Sequence, residues 1–105
     1  MTDFAITSEG PRMYFLSGEL DMATFPLMET AIAPAIAKGG PVILNLSDLT
    51  FIDSTGVGSI VRSLHLLPSG CILLHGVRDA VQRVLDMMNV NQAPNLHVIP
   101  CTVAI

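Results

Sequence analysis

The chain has 105 residues, 50% of them hydrophobic and only 13% charged, a composition that suits one domain with a real core and excludes intrinsic disorder. Its net charge is −4, and its five basic residues, Arg12, Lys38, Arg62, Arg78 and Arg83, are scattered, which excludes the clustered cations that nucleic acid requires. Average soluble domains carry about 25% charge, so apolar surface is expected to remain for a partner.

Residues 1–10 lack the basic start and apolar run of a secretory signal. No apolar run approaches the ~18 residues of a membrane helix, so direct membrane insertion is not expected. Cys71 and Cys101 form neither a C-x-x-C pair nor a disulfide framework and read as two reduced core thiols of a cytoplasmic protein.

Residues 4–7 and 13–16 are β-prone runs joined by Ser8-Glu9-Gly10-Pro11, which predicts a hairpin, with Gly18 ending its second strand. Thr24 is the expected cap of a helix over 25–38 that Gly39-Gly40 stops, with Pro26 harmless in its first turn. An interior proline loses a hydrogen bond and clashes with the preceding turn, so Pro34 predicts a kink or an early end. Residues 42–46, Val-Ile-Leu-Asn-Leu, read as a strand covered on both faces. A helix over 54–67 directs Val57, Ile60, Val61, Leu64 and Leu67 inward, and Pro68-Ser69-Gly70 closes it. Residues 71–74 form another buried strand. The next helix, around 79–88, is read as turning Val77, Val81, Val84, Leu85 and Met88 inward, with Asn89 suited to a left-handed cap. Residues 96–99 make the last strand. The order β-β-α-β-α-β-α-β implies an α/β fold with a mixed, mostly parallel sheet and an N-terminal hairpin, in one domain spanning 1–105.

The most informative segment is Asp48-Leu49-Thr50-Phe51-Ile52-Asp53-Ser54-Thr55-Gly56-Val57-Gly58. Asp and Ser at a helix start are ordinary caps for unpaired backbone N–H groups. Three consecutive polar residues exceed what one cap needs, however. Glycines at 56 and 58 each cost ~0.5–1 kcal/mol relative to alanine inside a helix, so another group is expected to approach closely.

These residues resemble the STAS domains of bacterial anti-anti-sigma factors. Gly18-Glu19-Leu20-Asp21 with Thr24 looks like the motif before that family's first helix. The 48–58 segment resembles its D-L-x-x-F/Y-[IM]-D-S-[ST]-G-[LV]-G core, and Val81 through Val90 its later helix end, with Asn89 in place of the usual glycine. The resemblance implies a non-enzymatic regulator of transcription, an antagonist of an anti-sigma factor. Unphosphorylated, it binds an anti-sigma factor serine kinase and frees the sigma factor; phosphorylated, it lets go. Ser54 is the implied acceptor, with Thr55 ranked second. Asp21, Thr24, Asp53, Thr55, Gly56, Val57, Gly58 and Arg62 are the implied partner contacts. ATP belongs to the kinase, so no cofactor or metal is expected on this chain, and a monomer or weak homodimer suffices. No Arg or Lys lies near Ser54 in sequence, so the added charge would spoil an interface rather than remodel the fold.

Other chemistries fit less well. A hydrolase needs Ser54 as nucleophile with His65, His75 or His97 as base, but there is no G-x-S-x-G elbow and His65 lies roughly 16 Å along the same helix. Gly56-Val57-Gly58 lacks the third glycine of a dinucleotide loop. A phospho-acceptor receiver reading of Asp53 lacks the late lysine, since Lys38 is the only one. No histidine or cysteine pair has metal-ligand spacing, and Met13, Met22, Met28, Met87 and Met88 read as core or interface filler. The alternative is a STAS subunit of a sensory or stress complex, or of a lipid or anion transporter. Met22, Phe25, Leu27, Met28 and Ile32 cannot all face one narrow stripe, and an exposed apolar patch there would suit stable assembly.

Overall fold

The computed structural model describes residues 3–101. Residues 1 and 2 of the stretch read for a secretory signal lie outside them. The elements are β1 (Ala5–Ser8), β2 (Met13–Leu20), α1 (Phe25–Lys38), β3 (Val42–Ile52), α2 (Ser54–Leu66), β4 (Ile72–Val77), α3 (Asp79–Met87) and β5 (Leu96–Pro100), with a 3-10 turn at Val90–Gln92. The α/β order and the mostly parallel sheet match the sequence expectation. β1 and β2 form the antiparallel hairpin, and β2, β3, β4 and β5 run parallel.

Strand order in the sheet is β1-β2-β3-β4-β5. Crossovers between parallel strands are right-handed, and an order that never reverses therefore delivers every helix to the same face. Burial follows this rule. Leu16, Val42, Leu44, Leu46, Ile72, Leu74 and Leu96 are buried against Met28, Ile32, Val57, Ile60, Val81 and Leu85 of the helices. Their alternates Met13, Phe15, Ile43, Asn45 and Leu73 stay half-buried, and His75 and His97 are exposed. The expectation that residues 42–46 are covered on both faces is thus corrected. The strand is central and apolar, yet it has one helical roof, and it runs on to Ile52.

Several local expectations also change. β2 passes through Gly18 to Leu20, because Gly18 (φ +86°) leaves room for the crossing chain; a Cβ there would lie 2.0 Å from the Asp3 carbonyl oxygen. α1 continues past Pro34 to Lys38. Pro34 and Thr30, the residue whose carbonyl loses its intrahelical donor, are both exposed, so that carbonyl is open to solvent and the helix does not end early there. Thr24 occupies the N-cap position of α1 without capping it: its hydroxyl turns back to donate to the Glu19 carbonyl at 2.8 Å. The inward stripe of α3 is shorter than expected: Val77 is the last residue of β4, where it is buried, and Met88 is 40% exposed because α3 ends at Met87, with Asn89 in the left-handed conformation (φ 56°, ψ 25°). Met28 and Ile32 of α1 are buried and Phe25 partly so, whereas Leu27 (56%) and Met22 just before the helix (71%) are open to solvent, the overflow that the apolar count demanded. Neither cysteine joins the core: Cys71, just before β4, is half-buried and Cys101, just after β5, is exposed.

Candidate functional site

The carboxyl ends of β2 and β3 pair side by side, Leu20 opposite Ile52, and both strands turn into helices there. In parallel α/β sheets such strand ends are where function is usually built. The β2–α1 connection holds itself. Asp21 accepts at Oδ1 from the backbone N–H of Ala23 (2.9 Å) and Thr24 (3.2 Å), and its own N–H donates to Thr24 Oγ1 at 2.9 Å. This turn presents Met22 at its tip.

Asp53 is the N-cap of α2. Its extended backbone (φ −114°, ψ −175°) lets Oδ1 accept from Gly56 N–H at 3.0 Å and from the Thr55 hydroxyl at 2.6 Å. The backbone N–H of Met22, across from α2, adds a weaker favourable field at this carboxylate. Partial burial would raise the Asp53 pKa, but the donors Thr55 and Gly56, with the Met22 N–H, outweigh it and hold the carboxyl below its usual range. Asp53 is therefore ionised at neutral pH.

Ser54, the first residue of α2, is exposed, and its hydroxyl has no hydrogen-bond partner among the described residues. Thr55 is half-buried with its hydroxyl committed to Asp53. The two adjacent hydroxyls are thus unequal, one free and one used.

The two glycines also differ. A Cβ on Gly56 would lie 2.6 Å from the Leu20 carbonyl oxygen and 2.8 Å from Ile52 Cγ1, so β2 itself is the close neighbour there. Gly58 has nothing within 4 Å of that position, and the space beside it is open. Val57 is fully buried and anchors α2. Arg62 lies about 12 Å of helix rise beyond Ser54. Its guanidinium pairs with Glu29 at 2.8 Å and sits 5.7 Å from the Phe25 ring centre, so it braces α1 against α2.

Of the expected site residues, Asp21, Thr24, Asp53, Ser54, Thr55 and Gly58 gather at or beside the two connections, while Gly56 and Val57 lie inside and Arg62 lies farther along the helices. Sequence reading missed the influence of the Met22 backbone N–H on Asp53, since a backbone N–H leaves no trace in side-chain identity. It also missed Ser59 and Glu29. Ser59 is fully buried and donates to Glu29 Oε2, and Glu29, the only acid in α1, is held below the usual carboxylate range by Ser59 and Arg62 against the effect of burial. The signal available was a serine at an inward helical position. Among the described residues no helix is long and apolar enough to cross a membrane.

Residues 5–99 match the family model for the STAS domain. An anti-sigma-B factor antagonist of Staphylococcus aureus is 33% identical over 86 residues, covering 73% of this chain and 80% of that protein. Among solved structures, an anti-sigma factor antagonist from Mycobacterium paratuberculosis has a TM-score of 0.70 at 20% identity, over 92% of this chain and 86% of its own. The Bacillus cell fate determinant SpoIIAA in its phosphorylated form has a TM-score of 0.58 at 21% identity, over 91% and 90%. These two likenesses concern the fold.

Proposed function

The chain belongs to the STAS domain family, and on that premise we propose that it works as a single-domain anti-sigma factor antagonist switched by phosphorylation at Ser54. The unphosphorylated form binds an anti-sigma factor serine kinase, which contributes the ATP site, and so releases the sigma factor; the phosphorylated form dissociates. The chain acts as a binding module of the bacterial cytoplasm and not as an enzyme. The observation that carries this reading is the inequality of the two hydroxyls: Ser54 is exposed and unpartnered among the described residues, while Thr55 is tied to Asp53.

The physics of release follows from charge. A phosphoserine adds about −1.5 to −2 charges. The α2 N-terminus offsets this by ~0.3–1 kcal/mol, but the ionised Asp53 carboxylate next to it opposes it. The nearest cation along α2, Arg62, is already engaged by Glu29. The phosphate therefore remains an uncompensated surface charge beside the open flank of Gly58, where a partner would sit closely. Asp21 and Thr24 shape that surface by fixing the Met22 tip, and Gly56 and Val57 support it from within.

The test is affinity for the kinase captured with the unphosphorylated chain, measured by calorimetry, together with peptide mass analysis after incubation with ATP and magnesium. One phosphate is expected, on Ser54. Ser54→Ala should take no phosphate, keep binding, and change stability by less than about 0.5 kcal/mol, because Asp53 and not Ser54 is the cap. Ser54→Asp should weaken binding by about tenfold or more, less completely than the phosphate does. If the phosphorylated chain binds as tightly as the unmodified one, the switch reading fails.

A further inference from the structure

A cavity of about 330 Å³ opens between α1 and α2, away from Ser54. That volume is at the small end of the range for ligand pockets. Residues 29, 32, 33, 36 and 37 recur at helical spacing along one side of α1, so the groove is about 12 Å long. Ile32, Ala33, Ile36 and Ala37 form one wall, and Leu66 of α2, 67% exposed, forms a lip. Its polar groups are few and lie on Glu29, Arg62 and Ser63.

Those groups are not used up by the fold. Arg62 gives Nε and Nη2 to Glu29 Oε2, and Ser59 gives its hydroxyl to the same oxygen, so Glu29 Oε1 and Arg62 Nη1 have no partner among the described residues. Ser63 is only 4% exposed as a residue and lines the groove; no buried side-chain polar atom among the described residues lacks a partner, so its hydroxyl, which has none in the fold, reaches the open space of the groove. A hydroxyl that opens into an otherwise apolar groove can give its hydrogen bond to whatever occupies that groove.

We propose that this groove binds a small neutral amphiphile, an aliphatic chain ending in a carboxamide. The chain lies along Ile32, Ile36 and Leu66. The head lies against Glu29, Arg62 and Ser63, its carbonyl accepting from Arg62 Nη1 and its NH₂ donating to Glu29 Oε1. Charge complementarity selects the neutral head. A carboxylate would compete with Glu29 for Arg62, and an ammonium would compete with Arg62 for Glu29. The site does not depend on the phosphorylation reading.

The experiment titrates the chain with octanamide, octanoate and octylammonium, which share one tail, and follows backbone amide resonances. Octanamide should shift residues 33, 37, 63 and 66 saturably and bind about tenfold tighter than either charged analogue. Ala37→Leu, at an exposed position, should abolish the shifts by filling the groove with the melting temperature unchanged, and Ala33→Leu provides the same block if that variant folds poorly. Ser63→Ala should weaken octanamide about threefold and leave the charged analogues unaffected. Absence of saturation, equal affinity for all three head groups, or indifference to both leucine variants would overturn the proposal.

Discussion

The Asp53 carboxylate accepts from the Thr55 hydroxyl and the Gly56 backbone N–H, so its ionised form is part of the folded state. Its folded pKa is depressed relative to the unfolded chain. The stability this contributes is therefore complete above the unfolded value near 3.9 and is lost as pH falls through the folded one. Urea unfolding midpoints recorded as pH is lowered from about 6 should fall for the natural chain, and Asp53→Asn should remove part of that fall. Thr55→Val deletes the 2.6 Å hydroxyl donor without changing shape much, so the Asp53 carboxyl should titrate at a higher pH than in the natural chain, as read from its carbon resonance. If the titration does not move upward, Thr55 does not help hold Asp53 ionised, and its hydroxyl is not committed in the way that distinguishes it from Ser54.

At the scale of elements, α2 contains two glycines that look alike in sequence and are opposed in structure. Gly56→Ala would push a methyl against the Leu20 carbonyl, backbone that cannot step aside, and should destabilise by about 1–3 kcal/mol. Gly58→Ala meets open space and should stabilise by about 0.5–1 kcal/mol through helix propensity. Chemical denaturation of the two variants reads the difference directly, and equal effects would mean that β2 does not press on α2 at Gly56. The glycine pair was legible as a sign of close approach. Which glycine served the fold was not, because the neighbour of Gly56 comes from β2, thirty-odd positions away in sequence. Helix bounds were legible to within a residue at α1, α2 and α3, since apolar spacing and the Gly39-Gly40 and Pro68-Ser69-Gly70 stops are local. The passage of α1 through Pro34 was not, because solvent exposure of Thr30 and Pro34 decides whether a lost backbone bond can be replaced by water.

At the scale of the whole molecule, the unreversed strand order leaves one sheet face roofed by helices and the other without one. Adjacent residues of β4 then differ sharply in worth. Leu74→Ala, on the roofed face, should cost about 2–5 kcal/mol, whereas Leu73→Thr, on the open face, should cost under about 1 kcal/mol. Urea midpoints check this, and similar losses at both positions would mean that the second face is covered after all. The sequence by itself determined the alternation of strands and helices, the core-facing stripe of α2, and the position of Asp53 and Ser54 at a strand-to-helix junction, all consequences of short-range spacing and capping chemistry. Only the tertiary structure decided that the apolar run of β3 has one roof, that Thr24 turns back toward β2, that Thr55 is occupied while Ser54 is free, and that Glu29 reaches the buried Ser59 of α2. These outcomes depend on which element lies beside which. Crossover handedness and strand order fix that, and a one-dimensional pattern of apolar and polar residues does not encode it.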